Sequence, residues 1–334
     1  HLSERALIEN YRSTDRLIRY FSNFTVQPTG IRGASSDRTF QSSISYNTNL
    51  VRDQLEAELV RLIRLSTAQG FAAEKICVLA PWWILLAGIT RRLASALPEY
   101  EFDGPGMVPF SRDQENFWYR LSRIALTEAS PEQYVRRTRW AAEVIRDLTN
   151  QGINTRDLSA KRLLQVSNMI KLNQPDGLQY LREFFTSLME NLGIEWQLHA
   201  LLCEHHHAFF DSSAAKIARL RKEGAEYIGG VEFFRKVFRP GCGITVNTVH
   251  GVKGSEFDVV IAFGLLQGMI PHFSEEAEVD GGINSAKKLL YVISSRARKH
   301  LYLISEQQRM QGGRRGPYSP TNTLAECVFD YDIV

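Results

Sequence analysis

The chain has 334 residues, 44% hydrophobic and 23% charged, and a formal net charge of +3 with a pI near 8.6. That length holds one large core or two smaller ones, and so small a charge permits a nucleic-acid partner without implying one. No apolar run approaches the roughly 18 residues of a membrane helix, no signal peptide is expected, and four cysteines (Cys77, Cys203, Cys242, Cys327) lie far apart with no CxxC pair. A cytoplasmic protein with reduced thiols and no membrane partner is expected.

The first 24 residues read as helical, with Leu7, Tyr11, Ile18 and Phe21 recurring on one face, and Ser13-Thr14-Asp15 offers an N-cap for a segment starting near Arg16. Residues 25–43 are rich in Gly, Ser, Thr and Arg without periodicity and read as a loop. Ile44–Asn47 suggests a short strand. An amphipathic helix follows over about Val51–Leu65, then a buried strand Ile76–Ala80 stopped by Pro81, then a helix over about Trp83–Leu97. This alternation is the βαβ pattern of a parallel sheet.

Phe102-Asp-Gly-Pro-Gly106 reads as a turn cluster. From Asn116 to Lys222 every periodic segment is helical, at about 116–127, 131–149, 159–171, 177–191 and 195–221. A small apolar helix in Gly229–Phe238 is expected to lead back to the sheet. Two β-branched runs, Ile244–Val249 and Asp258–Gly264, predict parallel strands, followed by a helix carrying Arg296 and Arg298 and a strand Leu301–Ser305. The tail after Glu306, with Gly312, Gly313, Arg314, Arg315 and Pro317, is turn-rich. The division expected is 1–107 and 227–334 for a sheet domain interrupted by a helical subdomain over 108–226.

No G-x-x-x-x-G-K-[ST] loop occurs, and Gly251-Val-Lys253-Gly254 is no substitute, because its lysine is followed by Gly254 and Ser255. The run His205-His206-His207 does not predict a metal site: consecutive helical residues diverge by roughly 100° and cannot converge on one ion. Arg136-Arg137-Thr138-Arg139-Trp140 has the composition of a phosphate-contacting patch, but reads better as a solvated helix face.

Three motifs in order span almost the whole chain. Asn10-Tyr11-Arg12-Ser13 matches motif IV, Thr248, His250, Lys253, Gly254, Glu256, Phe257, Asp258 and Val259 match motif V, and Leu289, Tyr291, Val292, Ser295, Arg296 and Ala297 match motif VI of a UvrD/Rep-like superfamily 1 DNA helicase. The chain resembles the C-terminal half of such an enzyme. It departs in Ser285-Ala286-Lys287-Lys288, where the family carries acids, and in Ser295, which keeps the hydroxyl of the usual threonine.

The resemblance implies an α/β fold: a RecA-like, P-loop NTPase type parallel-sheet domain with an inserted all-helical subdomain. It implies an ATP-dependent 3′-to-5′ DNA helicase of repair type, using ATP with Mg2+ held by a P-loop on a separate N-terminal motor domain, this half alone being inactive. Arg12 and Arg296 would be arginine fingers on the γ-phosphate. Tyr11 would stack on adenine, and Glu256 would accept from the ribose. Thr248, His250, Lys253 and Gly254 would face single-stranded DNA, at single-strand/duplex junctions. Arg298 reads as an ordinary salt-bridging arginine. Two other classes stay open, a motor-like domain of a helicase–nuclease recombination subunit and a non-catalytic DNA- or protein-binding module.

Overall fold

The computed structural model describes residues 8–27, 30–223, 225–239, 243–277, 280, 282–312 and 316–334. Leu7, Cys242, Gly313, Arg314 and Arg315 of the sequence reading lie outside the described residues. Contacts divide the chain into two units, His1–Gly106 with Gly241–Val334, and Met107–Pro240.

The first unit begins with β1 (Glu9–Asn10) and α1 (Asp15–Ser22), a shorter helix than the apolar recurrence predicts. Thr14 caps it, its hydroxyl accepting from the Leu17 N–H. A two-residue strand β2 (Arg32–Gly33) inside the expected loop pairs in parallel with β1. β3 (Ile44–Asn47), α2 (Leu55–Ala68), β4 (Ile76–Ala80) and α3 (Trp83–Ala96) follow close to expectation. Phe102–Asp103, expected as a turn, forms the edge strand β5: two residues suffice because Phe102 pairs with Ile244 of the next strand and tucks under α3.

In the second unit α4 (Phe117–Ala125), α5 (Tyr134–Asn150), α6 (Ala160–Met169), α7 (Gly177–Asn191) and α8 (Ala200–Lys222) enclose one apolar core. Trp118 sits fully buried at its centre, its indole N–H donating to Leu202 O at 2.8 Å. The small helix α9 (Val231–Lys236) belongs to this core and not to the sheet, because Phe234 packs on Phe110 and against Gly177.

The chain then forms β6 (Ile244–Thr248), β7 (Phe257–Ala262), α10 (Ile283–Ser295), β8 (Ala297–Ile304) and α11 (Asn322–Ala325). The sheet order is β3-β8-β7-β4-β6-β5, with every pairing parallel. Helices cover both faces, so β4 reads as a continuous apolar run, as do Val259–Ala262 of β7 and Leu301–Ile304 of β8. Along β4 the faces alternate: Cys77 and Leu79 join α1 and α10 residues such as Leu17, Tyr20, Leu290 and Ile293. Ile76, Val78 and Ala80 join α2 and α3 residues such as Leu59, Ile63, Ile89 and Leu93. This is the three-layer α/β arrangement of a RecA-like domain, with an all-helical insertion between β5 and β6.

Candidate functional site

Where β1 turns into α1, the Asn10 side chain folds back on its own backbone. Its Oδ1 accepts from the N–H groups of Arg12 and Ser13, both at 2.9 Å, an Asx turn. The buried Ser13 hydroxyl donates to Ala297 O at 2.8 Å, and the Thr14 N–H reaches Arg298 O at 3.3 Å. The Asn10–Thr14 segment is thereby stapled to the first residues of β8, which places Arg12 beside Arg296. The sequence singled out only the middle two residues of Asn10-Tyr11-Arg12-Ser13; the outer two hold them in place, and their side chains, each able to bond backbone, were the available signal.

Arg296 is not inside a helix. It caps the C-terminus of α10, immediately before β8, and its carbonyl accepts the Phe257 N–H at 3.0 Å. Helix and strand are joined without a loop, so the Arg296 side chain leaves the sheet at the N-terminal end of β7 and β8. Its Nη1 donates to Ser255 O at 3.2 Å and its Nη2 to the Ser295 hydroxyl at 3.3 Å. Arg12 donates from Nη1 to Ser295 O at 3.2 Å, and its Nε lies 2.6 Å from Glu256 Oε1, an ion pair and not an aligned hydrogen bond.

The Arg296 guanidinium is half-buried, and its pKa is pushed down first by that burial and then by the charge of Arg12, with Glu256 opposing. An arginine so shifted is still a cation at neutral pH. Two guanidiniums facing one carboxylate make this edge of the sheet electropositive. The Nε of each arginine has no aligned acceptor among the described residues. Tyr11 stands next to them with 68% of its surface exposed, its hydroxyl donating to Glu9, which raises its pKa. Arg298, by contrast, pairs with Asp258 at 3.6 Å.

The loop between β6 and β7 runs from Val249 to Glu256, with Thr248 ending β6. Buried Val249 and Val252 pin it into the cluster that holds Leu17 and Val260. The Gly251 N–H donates to both the carbonyl and the hydroxyl of Thr248, at 3.0 and 3.1 Å, and a Cβ at Gly251 would collide with Asn247 Oδ1. Gly254 has φ +88° with open space around it, a conformation that favours glycine. Between these anchors His250 and Lys253 are exposed and have no side-chain partner among the described residues. Thr248 is half-buried and Glu256 exposed, its carboxylate engaged by Arg12.

The three consecutive histidines separate as helix geometry requires. His205 Nδ1 accepts the Phe117 N–H at 3.2 Å, while His206 packs among Trp118, Trp196 and Phe210. Burial lowers the His206 pKa to about 4. The described residues contain no group of three or more His, Cys, Asp or Glu placed to hold a metal ion, and no helix among them is long and apolar enough to cross a membrane. Arg137, read as part of a solvated face, is instead buried, with 4% of its surface exposed. It occupies the same stripe of α5 as Trp140, Ala141, Val144 and Leu148, a spacing that could have revealed it.

Comparison with known proteins falls on the same part of the chain. Residues 239–308, which hold the β6–β7 loop, Glu256 and Arg296, match the model of the UvrD-like helicase C-terminal domain. The ATP-dependent DNA helicase PcrA of Bacillus subtilis (strain 168) is 37% identical over 90 residues, 26% of this chain and 12% of that protein. PcrA of Staphylococcus epidermidis (strain ATCC 12228 / FDA PCI 1200) is 32% identical over 89 residues, again 26% and 12%. PcrA of Staphylococcus aureus (strain NCTC 8325 / PS 47) is 32% identical over 85 residues, 25% and 12%. The matched stretch thus spans about an eighth of these relatives' length, 12% in each. On the motifs, the parallel α/β sheet and these matches together, the chain carries a UvrD/Rep-like superfamily 1 helicase C-terminal region.

Proposed function

We propose that this chain is the C-terminal motor half of an ATP-dependent, 3′-to-5′ translocating DNA helicase, acting with a P-loop motor domain that supplies the remaining nucleotide contacts. The observation that supports it most is the meeting of Arg12 and Arg296 on Ser295, with Glu256 paired to Arg12. Two guanidiniums beside an exposed tyrosine ring fit a nucleoside triphosphate: planar donors for phosphate oxygens and an aromatic face for a base.

ATP with Mg2+ supplies the scissile phosphoanhydride, and the metal would be held by the P-loop half. In this chain Arg12 and Arg296 are the arginine fingers, stabilising charge that builds on the transferred phosphoryl group. Tyr11 carries the adenine face, and Glu256 offers its second carboxylate oxygen to a ribose hydroxyl while its first restrains Arg12. On the β6–β7 loop, Lys253 and His250 are the contacts to single-stranded DNA. Thr248 and Gly254 shape the backbone that approaches the strand. Domain closure on nucleotide and reopening after hydrolysis would move this loop along the strand.

The test compares hydrolysis by this chain alone with hydrolysis when it is joined to its P-loop half. The chain alone is expected to release no phosphate from ATP, and the joined protein to do so with stimulation by single-stranded DNA. ATP turnover by this chain alone, or a joined protein indifferent to DNA, would reject the proposal.

A further inference from the structure

Three partly buried arginines of the helical unit are answered by acids. Arg120 pairs with Asp147 at 2.7 Å, Arg123 with Glu143 at 2.6 Å and Arg235 with Glu232 at 2.6 Å. Arg137 is more deeply buried than any of them, yet no acid lies within ion-pair distance among the described residues. Its single hydrogen bond is a long one, Nη2 to Ile124 O at 3.4 Å, and its Nε has no acceptor. A guanidinium carries five N–H donors, and burying so many without acceptors is costly.

Beside it on α6 stands Ser167, 4% exposed, whose hydroxyl also has no partner. Both residues line one cavity of about 380 Å³ formed by α4, α5, α6, α7, α9 and the segments after α4 and α6. Exposed Lys171 and the paired Arg235 line it as well. The one acid on its wall is Glu128, whose side chain is 81% exposed and lies 3.7 Å from Arg239. Cations therefore outnumber acids around a polar-walled space large enough for a phosphate group and part of what it is attached to.

We propose that this cavity is an oxyanion site, where Arg137 and Lys171 supply charge and Ser167 a hydroxyl donor to a phosphate-class ligand. The site lies wholly in the helical unit and goes beyond the motor reading, since binding of a bare oxyanion requires neither nucleotide hydrolysis nor translocation. A bidentate guanidinium contact favours phosphate over a spherical anion of equal charge.

Inorganic phosphate is the probe, titrated into the full chain by calorimetry and by thermal unfolding, with sodium chloride at matched ionic strength as reference. Saturable binding and a raised midpoint beyond the chloride reference are expected. Lys171→Gln, at the exposed rim, should weaken phosphate at least tenfold with an unchanged ligand-free midpoint, and Arg137→Met should abolish binding. Should Arg137→Met fail to fold, Lys171→Gln alone decides. Competition separates the sources: displacement by a short single-stranded oligonucleotide identifies a nucleic-acid backbone phosphate, displacement by AMP alone a mononucleotide, and displacement by neither a free phosphate. A phosphate response no larger than chloride's, or one untouched by Lys171→Gln, overturns the proposal.

Discussion

Arg12 and Arg296, contributed by opposite ends of the chain, converge on one residue: Arg12 donates to the backbone carbonyl of Ser295 and Arg296 to its hydroxyl. The Ser295 hydroxyl thus accepts from Arg296, and the two cations are held within electrostatic reach of each other.

If Arg296 acts as proposed, Arg296→Ala in the chain joined to a P-loop motor domain is expected to lower DNA-stimulated ATP turnover by about 10³- to 10⁵-fold, the usual loss for an arginine finger. The side chain is half-buried and donates only to Ser255 O and the Ser295 hydroxyl, so the melting temperature should stay close to that of the parent. Steady-state ATPase assays beside thermal unfolding check this. Full turnover in the variant would remove Arg296 from the catalytic machinery.

Lys253→Ala should weaken single-stranded DNA binding across all sequences alike. A lysine that neutralises one phosphate contributes about 0.7 to the slope of log affinity against log salt on a single strand, so the variant's slope should be shallower by about that amount. Fluorescence anisotropy at several salt concentrations measures both quantities. An unchanged slope would place the lysine off the DNA path.

The helical unit should lose stability on acidification. His206 has its pKa lowered by burial to about 4, below the ordinary value of 6.5, so between these values the unfolded chain binds a proton that the folded one resists. Its contribution is therefore fully present above about pH 6.5 and declines as the pH falls towards 4. His206→Phe keeps the ring among Trp118, Trp196 and Phe210 and should flatten that part of the stability–pH profile. Denaturant melts at pH 7 and pH 5 would show it, and an identical pH dependence in the variant would exclude His206.

Gly177→Ala tests the placement of α9. A Cβ at Gly177 would overlap the Phe234 ring, which is itself fully buried. Overpacking of this kind costs about 1–3 kcal/mol, more than the roughly 1 kcal/mol a glycine-to-alanine change returns inside a helix. Net destabilisation in urea is expected, and relief by Phe234→Leu in the same chain would confirm the contact. A stabilised Gly177→Ala would contradict it.

The sheet was legible where strands are covered on both faces, since Ile76–Ala80 is an unbroken apolar run and Val259–Ala262 and Leu301–Ile304 are shorter ones within β7 and β8. Strands of two residues were not: Phe102–Asp103 and the β1–β2 pair owe their pairing to neighbours that no local pattern names. Helix α9 was assigned to the wrong side because its apolar face fits any core, and only Phe110 and Gly177 show which one. At the site, Arg12 and Arg296 came from motif order, whereas the partners that restrain them, Asn10, Ser13, Ser255 and Ser295, are short polar side chains or backbone groups whose role exists only in three dimensions. Arg137 was misread for the opposite reason. Its neighbours Arg136 and Arg139 made a charge run look uniformly solvated, although one member lies on the apolar stripe.

β4 sits in the middle of the sheet between β6 and β7, yet both of those neighbours follow the whole helical unit in the chain. On a ribosome, its backbone donors and acceptors would have to wait, solvated or shielded by a chaperone, until the insert had been made. The insert closes its own core without them, so within this chain it should resist protease before the strand-bearing part, whose sheet is completed only once β6, β7 and β8 have been made.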